Sequence, residues 1–252
     1  MRAYYNEFEP FAAAWLRELI KAELITPGEV DERSIEDVEP SDLAGFDRVH
    51  FFAGIGGWDL ALQLAGWPAA RPVWTGSCPC QPFSAAGKGK GSADERHLWP
   101  AFFHLIRECR PSVVFGEQVG AAIGHGWLDL VSNDLEGEGY ACGAAVFPAC
   151  SVGAFHIRQR LYWLAYSMPT GRPKRGAGAG SGQAPGLCWP GNPWANAVWL
   201  PCRDGKARPV EPTISPLAHG IPNRVGLLRG AGNAIVPQQA AVFIQSVMAH
   251  GV

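Results

Sequence analysis

The feature of this sequence best suited to chemistry is a cysteine flanked by prolines. Cys80 lies within the segment Ser77-Cys78-Pro79-Cys80-Gln81-Pro82-Phe83-Ser84. Pro79 and Pro82 fix φ at their own positions and restrict the residue that precedes each of them. Because such a loop is stiff, it would hold the Cys80 thiol in one orientation toward a reactant. A thiolate presented in this way could act as a nucleophile.

A glycine-rich turn, Phe52-Ala53-Gly54-Ile55-Gly56-Gly57, lies between a predicted strand and a predicted helix. Glycines at the carboxyl end of a strand let the backbone approach a ligand closely. The pattern differs from the G-x-G-x-x-G dinucleotide fingerprint and lacks the lysine of a P-loop. The residues alone leave two interpretations open, a ligand-binding turn or an ordinary strand-to-helix connection.

Three further segments complete a recognisable set: Phe115-Gly116-Glu117-Gln118-Val119, His156-Ile157-Arg158-Gln159-Arg160 and Gly232-Asn233-Ala234-Ile235-Val236-Pro237. Together with the cysteine loop and the glycine turn, they resemble the motifs of the DNA cytosine-5 methyltransferase family. Two positions depart from the family pattern, because Gln118 replaces the usual Asn and His156 replaces the usual Gln. The matched segments cover most of the chain outside residues 167–218.

The resemblance implies a reaction and a role for each catalytic residue. Cys80 would add to C6 of cytosine, so that C5 can attack a methyl group. Glu117 would hydrogen-bond N3 and the exocyclic amine, while Arg160, with Arg158 as a second candidate, would bind O2 and the developing charge. In duplex DNA the target base must leave the stack to reach Cys80.

The resemblance also implies S-adenosylmethionine as the methyl donor and S-adenosylhomocysteine as the product. Residues expected to bind this cofactor are Phe52, Gly54, Ile55, Gly56, Gly57, Glu7, Phe8, Ser34, Ile35 and Asn233. Glu7 would bind the ribose hydroxyls and Phe8 would stack near the adenine. Since Ser34 stands where an Asp is usual, we expect the adenine contact there to be weaker or made by backbone. No metal is expected.

The order of the motifs departs from the family. Only about twenty residues separate Gly57 from Pro79, too few for the second and third motifs that the family has there. Residues 6–12 and 31–38 resemble those motifs, which predicts a rearranged order with the second and third motifs before the first. The alternative is that residues 1–45 are an unrelated extension. The preference for right-handed crossovers also leaves open the sheet face on which helix 58–66 lies.

DNA contacts are expected from the loop that follows the nucleophile. Gln81, Ser84, Lys88 and Lys90 are the candidate DNA-binding residues. The glycines of residues 87–92 would let this loop close over DNA while its lysines face phosphates. A solvated loop is the other interpretation, and the two are compatible.

Hydrophobic periodicity places these motifs on alternating strands and helices. Helices are predicted at 10–25, 58–66, 97–109, 127–137 and 233–249, and strands at 47–53, 72–77, 112–116, 140–147 and 160–166. This order is typical of an α/β fold with a mostly parallel sheet, which matches the Rossmann-like fold of S-adenosylmethionine-dependent methyltransferases. We expect residues 1–166 to form the catalytic and cofactor-binding domain, with 1–45 supplying the rearranged motifs. Residues 167–218 are expected to form a small, loop-rich target-recognition lobe, and 219–252 to return to the catalytic domain.

Composition limits the classes of function. The 252 residues are 47% hydrophobic with a formal net charge of −2, which is not typical of a protein that coats nucleic acid non-specifically. Seven cysteines without a signal peptide indicate reduced thiols and the cytoplasm of a bacterial host. We expect double-stranded DNA as partner, no membrane, a monomer, and a protein partner if the short lobe cannot recognise DNA alone. Cytosine-5 methylation of RNA and a catalytically weak DNA-binding or decoy protein remain the alternatives.

Overall fold

A computed structural model describes residues 1–79, 98–154, 156–167, 198–201, 207–210 and 232–252. The helices of this part of the chain are α1 (Pro10–Lys21), α2 (Gly57–Ala65), α3 (Trp99–Cys109), α4 (Trp127–Gly137) and α5 (Pro237–Ala249). The strands are β1 (Ala3–Asn6), β2 (Gly28–Asp31), β3 (Arg48–Phe51), β4 (Val73–Gly76), β5 (Val113–Val119), β6 (Tyr140–Phe147), β7 (Arg160–Ser167), β8 (Val198–Pro201) and β9 (Ala207–Val210). Short 3-10 turns occur at Ile35–Asp37, Pro40–Leu43, Gly120–His125 and Ala149–Val152.

Seven strands form one sheet in the order β2-β1-β3-β4-β5-β7-β6. The pairs from β2 through β5 are parallel, and β7 pairs antiparallel with both β5 and β6. The predicted α/β class with a mostly parallel sheet is therefore confirmed. Strands β8 and β9 pair only with each other among the described strands, as an antiparallel ladder.

Buried apolar side chains cover both faces of the sheet, as expected for parallel strands. On one face α3 and α4 pack against alternate residues such as Phe51 and Trp74, with Phe102 and Trp99 at the centre. The other face carries α1, α2 and α5. Trp58 of α2 stacks on Phe115 there.

The position of α2 answers the question that the sequence leaves open. Helices α1 and α2 lie on the same face, although β1–α1–β2 and β3–α2–β4 move in opposite directions across the sheet. Helix α3 lies on the opposite face, although β4–α3–β5 moves in the same direction as β3–α2–β4. The β3–α2–β4 connection therefore has the opposite hand to the β1–α1–β2 and β4–α3–β5 connections. Since parallel connections are right-handed in about 98% of cases, we infer that β3–α2–β4 is the left-handed one.

The strand order brings chain segments that are distant in sequence to one edge. Asn6 at the end of β1 pairs in register with Phe51 at the end of β3, and Phe51 pairs with Gly76 at the end of β4. Gly76 in turn pairs with Gly116 of β5. The carboxyl ends of β1, β3 and β4 thus meet beside the middle of β5, at the edge where open α/β sheets bind ligands.

Candidate active site

Glu117 lies in β5 at this edge, one residue beyond the Gly76–Gly116 pair. Its side chain is buried, and its Oε1 accepts from Arg160 Nε at 2.7 Å. Burial raises the pKa of Glu117, and the cations of Arg160 and Arg158 and a hydrogen bond from Ser77 offset this only in part. A carboxyl group in this state can hold a proton more readily than an exposed one.

The start of the cysteine loop is fixed from two sides. Trp58 Nε1 donates to Ser77 Oγ at 2.9 Å, and Gln118 Nε2 donates to the carbonyl oxygen of Cys78 at 3.2 Å. Gln118, the departure from the family's Asn, also accepts from the backbone N–H of Val119 at 2.9 Å. These contacts hold the chain that leads to the cysteine loop beside Glu117. Cys80, Gln81, Ser84, Lys88 and Lys90 lie outside the described residues.

The two arginines of the predicted motif have different partners. Arg160 begins β7 and pairs with Glu117. Arg158 Nη1 and Nη2 donate to the carbonyl oxygens of Gly232 and Ala234, at 2.9 and 2.6 Å. The structure thus brings Glu117 and Arg160 together, whereas Arg158 reaches the terminal Gly-Asn-Ala segment.

The glycine turn follows β3 and has the backbone that its glycines permit. Gly54 has a φ of 56° and Gly56 a φ of 81°, and Phe52 also has a positive φ of 52°. A Cβ added at Gly54 would meet nothing within 4 Å, so this side of the turn is open. At Gly57 an added Cβ would lie 2.8 Å from Ile235 Cγ1, because the terminal segment packs against the turn. Ile55 lies between these glycines and is half-buried.

Glu7 lies beside the glycine turn, although 47 residues separate it from Gly54. Its Oε2 accepts from Gly54 N at 2.7 Å and its Oε1 from Glu9 N at 3.0 Å. Burial raises the pKa of Glu7, and these two backbone N–H groups lower it in part. A carboxylate has about four lone-pair sites, so two accepted bonds leave room for ligand hydroxyls.

The other predicted cofactor residues differ in exposure. Phe8 is 72% exposed, so its ring is available to a ligand. Ser34 Oγ accepts from Glu36 N at 3.4 Å and caps a 3-10 turn. Ile35 is buried in the core, and Asn233 is exposed.

Sequence reasoning missed a buried polar network beneath α2. Asp59 accepts from Thr26, Gln63 and Arg48, all at 2.8 Å, and His50 Nε2 lies 3.4 Å from its Oδ1. The signal was present, because Arg48 and His50 stand two residues apart in a buried strand and so share one face. Within the described ranges no group of three or more His, Cys, Asp or Glu could hold a metal ion.

Comparison with known proteins adds to this geometry. Residues 69–174 match the family model described as C-5 cytosine-specific DNA methylase. Over this segment, which is less than half of the chain, the sequence is similar to that family. The matched segment contains the cysteine loop, Glu117 and both arginines, and it excludes the glycine turn and the amino-terminal strands.

Two curated relatives illustrate the similarity. The Type II methyltransferase M.HhaI of Haemophilus parahaemolyticus is 27% identical over 169 residues, covering 52% of each chain. The Type II methyltransferase M.AluI of Cellulosimicrobium cellulans is 31% identical over 123 residues, covering 44% of this chain and 23% of the relative. The chain thus spans about half the length of the first relative and less of the second.

Among solved structures, the S. pombe Dnmt2 methyltransferase aligns with 15% identity and a TM-score of 0.42, over 68% of this chain and 52% of that chain. No helix within the described residues is both long and apolar enough to cross a bilayer.

Proposed function

We propose that this chain transfers a methyl group from S-adenosylmethionine to C5 of cytosine in DNA. The observation that carries the proposal is the buried Glu117–Arg160 pair, which lies beside the end of β4. Strand β4 ends at Gly76, four residues before Cys80. The family supports the proposal, since its members are described as C-5 cytosine-specific DNA methylases. The relatives above are named as Type II methyltransferases.

The proposed reaction divides between the nucleophile and the base-binding pair. The Cys80 thiolate adds to C6 of the flipped cytosine, forming an S–C6 bond and making C5 nucleophilic. Glu117 in its protonated form donates to N3, and Arg160 stabilises the negative charge that develops on the ring. S-adenosylmethionine supplies an electrophilic methyl group and leaves as S-adenosylhomocysteine. A base then takes the C5 proton, the S–C6 bond breaks, and the thiolate and the aromatic ring are restored.

The glycine turn and Glu7 fit the cofactor chemically. The positive φ angles at Gly54 and Gly56 and the open side of Gly54 leave backbone accessible to a ligand. Glu7 would accept from ribose hydroxyls through its free lone pairs, and exposed Phe8 would stack on the adenine. The contact between Glu7 and Gly54 supports the rearranged motif order, in which β1 and β2 supply the second and third motifs.

We also propose that residues 1–166 and 219–252 form the catalytic domain and that residues 167–218 form the target-recognition lobe. The separate β8–β9 pair supports a distinct lobe. Double-stranded DNA is the proposed partner, with a protein partner if the lobe is insufficient alone.

Nucleoside mass spectrometry tests the activity. Unmethylated duplex DNA is incubated with S-adenosylmethionine and the wild-type chain, and tRNA is treated in parallel. We expect 5-methylcytosine in DNA only, none with Cys80→Ala, and a fall of about 10²-fold or more with Glu117→Gln. Methylation of tRNA alone would mean that the substrate is RNA and not DNA. Full activity of Cys80→Ser would overturn the proposed mechanism. Cofactor binding without product in either polymer would indicate a missing partner or a non-catalytic role.

A further inference from the structure

Arg158 adopts a backbone conformation that an arginine rarely has. Its φ of 26° lies in the left-handed region, where a Cβ makes steric contacts that glycine avoids. Such strain persists only where surrounding contacts hold the residue in place, and it clusters at functional sites. The structure contains those contacts.

The Arg158 guanidinium is fixed by the terminal segment, residues 232–236. Its two terminal nitrogens donate to the carbonyl oxygens of Gly232 and Ala234, at 2.9 and 2.6 Å. A guanidinium has a rigid planar set of donors, so two bonds to alternate carbonyls fix both its position and its plane. Arg158 therefore has two of its donors on backbone rather than facing a substrate.

Gln239 strengthens the same connection from α5. Its side chain is fully buried, and its Nε2 donates to the carbonyl oxygens of Phe147 at 2.8 Å and Arg158 at 3.5 Å. The loop that carries Arg158 and residues 232–239 are thus joined by hydrogen bonds from side chains to backbone carbonyls in both directions.

The terminal segment in turn supports the glycine turn. Ile235 is buried and packs so closely on Gly57 that a single added methyl group at Gly57 would lie 2.8 Å from it. A displacement of Ile235 would therefore remove the contact that backs the turn between β3 and α2. Arg160 lies only two residues after Arg158 and holds Glu117.

We propose that Arg158 is a positioning residue that fixes residues 232–236 against the glycine turn, and so couples the Glu117–Arg160 pair to the cofactor site. This inference rests on the proposed function for the identity of the cofactor, while the contacts stand independently of it. It assigns Arg158 a role different from binding the cytosine O2, for which Arg160 is the better placed of the two.

The test uses Arg158→Lys, which keeps the positive charge but cannot donate to both carbonyl oxygens from two fixed nitrogens. Amide hydrogen exchange of residues 232–240 is followed by mass spectrometry in ligand-free protein, and S-adenosylmethionine affinity is measured by calorimetry. We expect exchange to accelerate and the dissociation constant to rise, each by about five- to twentyfold, because two charge-assisted hydrogen bonds are weakened. We expect the KM for duplex DNA to remain unchanged.

Arg110→Lys is the matched control. Arg110 is also an arginine with a positive φ, 51°, and its Nη1 donates to Glu138. These two residues lie at the ends of α3 and α4, which pack on the other face of the sheet from Ile235. Its substitution should change neither exchange at 232–240 nor cofactor affinity. Arg158→Gly is the second variant, because it relieves the backbone strain while removing both carbonyl contacts, and it should accelerate exchange in the same segment.

The inference would be overturned if Arg158→Lys left both exchange and cofactor affinity unchanged and lost only kcat or DNA binding. Arg158 would then be assigned to binding the target cytosine. If the wild-type chain binds no S-adenosylmethionine, the proposed function fails, and the exchange measurement alone then decides whether Arg158 fixes the terminal segment.

Discussion

Two buried carboxyl groups in this chain each have an arginine within hydrogen-bonding distance, yet their pKa values shift in opposite directions. Asp59 Oδ1 lies 2.8 Å from Arg48 Nη1, and Glu117 Oε1 lies 2.7 Å from Arg160 Nε. The pKa of Asp59 is lowered, whereas that of Glu117 is raised. A buried acid–arginine pair therefore does not by itself identify a reactive group.

The number of donors explains the difference. Burial alone would raise the pKa of Asp59, but hydrogen bonds and charge from His50, Arg48 and Thr26 outweigh it. Burial also raises the pKa of Glu117, and Arg160, Arg158 and Ser77 offset that effect incompletely. Asp59 is thus saturated with donors between α2 and the sheet, while Glu117 keeps capacity to hold a proton and to bind a ligand at the sheet edge.

The largest expected effect is on stability, from Asp59→Asn. The amide NH₂ would face the donors of Thr26 or Arg48 and leave the Arg48 cation unpaired in the interior. Breaking a buried pair costs about 3–5 kcal/mol of unfolding free energy. Urea denaturation measures this loss.

Asp129→Asn is the control for that substitution. Asp129, like Asp59, lies in the first turn of a helix, but it is exposed. We expect it to cost less than about 0.5 kcal/mol. A loss below about 1 kcal/mol in Asp59→Asn would contradict the view that the network beneath α2 depends on a charged aspartate.

The second prediction uses pH to separate the two carboxyl groups. The lowered pKa of Asp59 contributes stability that is present above its unfolded value of about 3.9 and is lost as pH falls through the lower folded pKa. The raised pKa of Glu117 acts in the opposite sense. Its contribution is present below the unfolded value of about 4.3 and is lost as pH rises through the higher folded pKa.

Urea unfolding measures both effects. The midpoints are determined for the wild-type chain, Asp59→Asn and Glu117→Gln between pH 3 and pH 8, with about one measurement per half pH unit. The advantage of wild type over Asp59→Asn should shrink as the solution becomes acidic. Its advantage over Glu117→Gln should shrink as the solution becomes alkaline. Two slopes of the same sign would mean that both groups behave alike and would remove the basis of the comparison.

The sequence predicted the five helices and strands β3 to β7 in their order, because strand and helix periodicities are local, but β1, β2, β8 and β9 were not among the predicted strands. The observed ends of helices and strands differ from the predicted ends where contacts with distant residues determine them. Helix α1, expected to reach residue 25, ends at Lys21, because Glu23 has a positive φ and Leu24 N donates back to Leu19 O. Strand β5 continues to Val119, three residues past the prediction, because β7 pairs along its full length.

The candidate site was predicted to the extent that it lies within linear motifs. Glu117 and Arg160 were found in this way, and the structure brings their side chains into contact, while their roles in catalysis stay predictions. The sequence could not predict the carbonyl partners of Arg158 or the left-handed crossover of α2, because both depend on which distant segments come into contact. Strand periodicity also cannot show that Arg48 and His50 face a buried carboxylate rather than solvent.

The smallest expected effect comes from Ser77→Ala, which tests how Glu117 is tuned. The Ser77 hydroxyl accepts from Trp58 Nε1 at 2.9 Å and hydrogen-bonds Glu117, lowering its pKa. Since the indole N–H can only donate, it engages the oxygen of Ser77 and leaves the hydroxyl proton for the carboxyl group. Removing the hydroxyl should destabilise the chain by about 1–2 kcal/mol and raise the pKa of Glu117 further.

Carbon-13 NMR of labelled glutamate, followed against pH, measures the second effect directly, and Glu117→Gln assigns the signal. Ser151→Ala is the matched control, because its hydroxyl is exposed and donates only to the nearby carbonyl of Pro148. If the Glu117 titration stays in place in Ser77→Ala, burial and the two arginines alone set its pKa. The contrast with Asp59 would then lie in desolvation rather than in the number of donors, because removing a donor would have left the proton affinity of Glu117 unchanged.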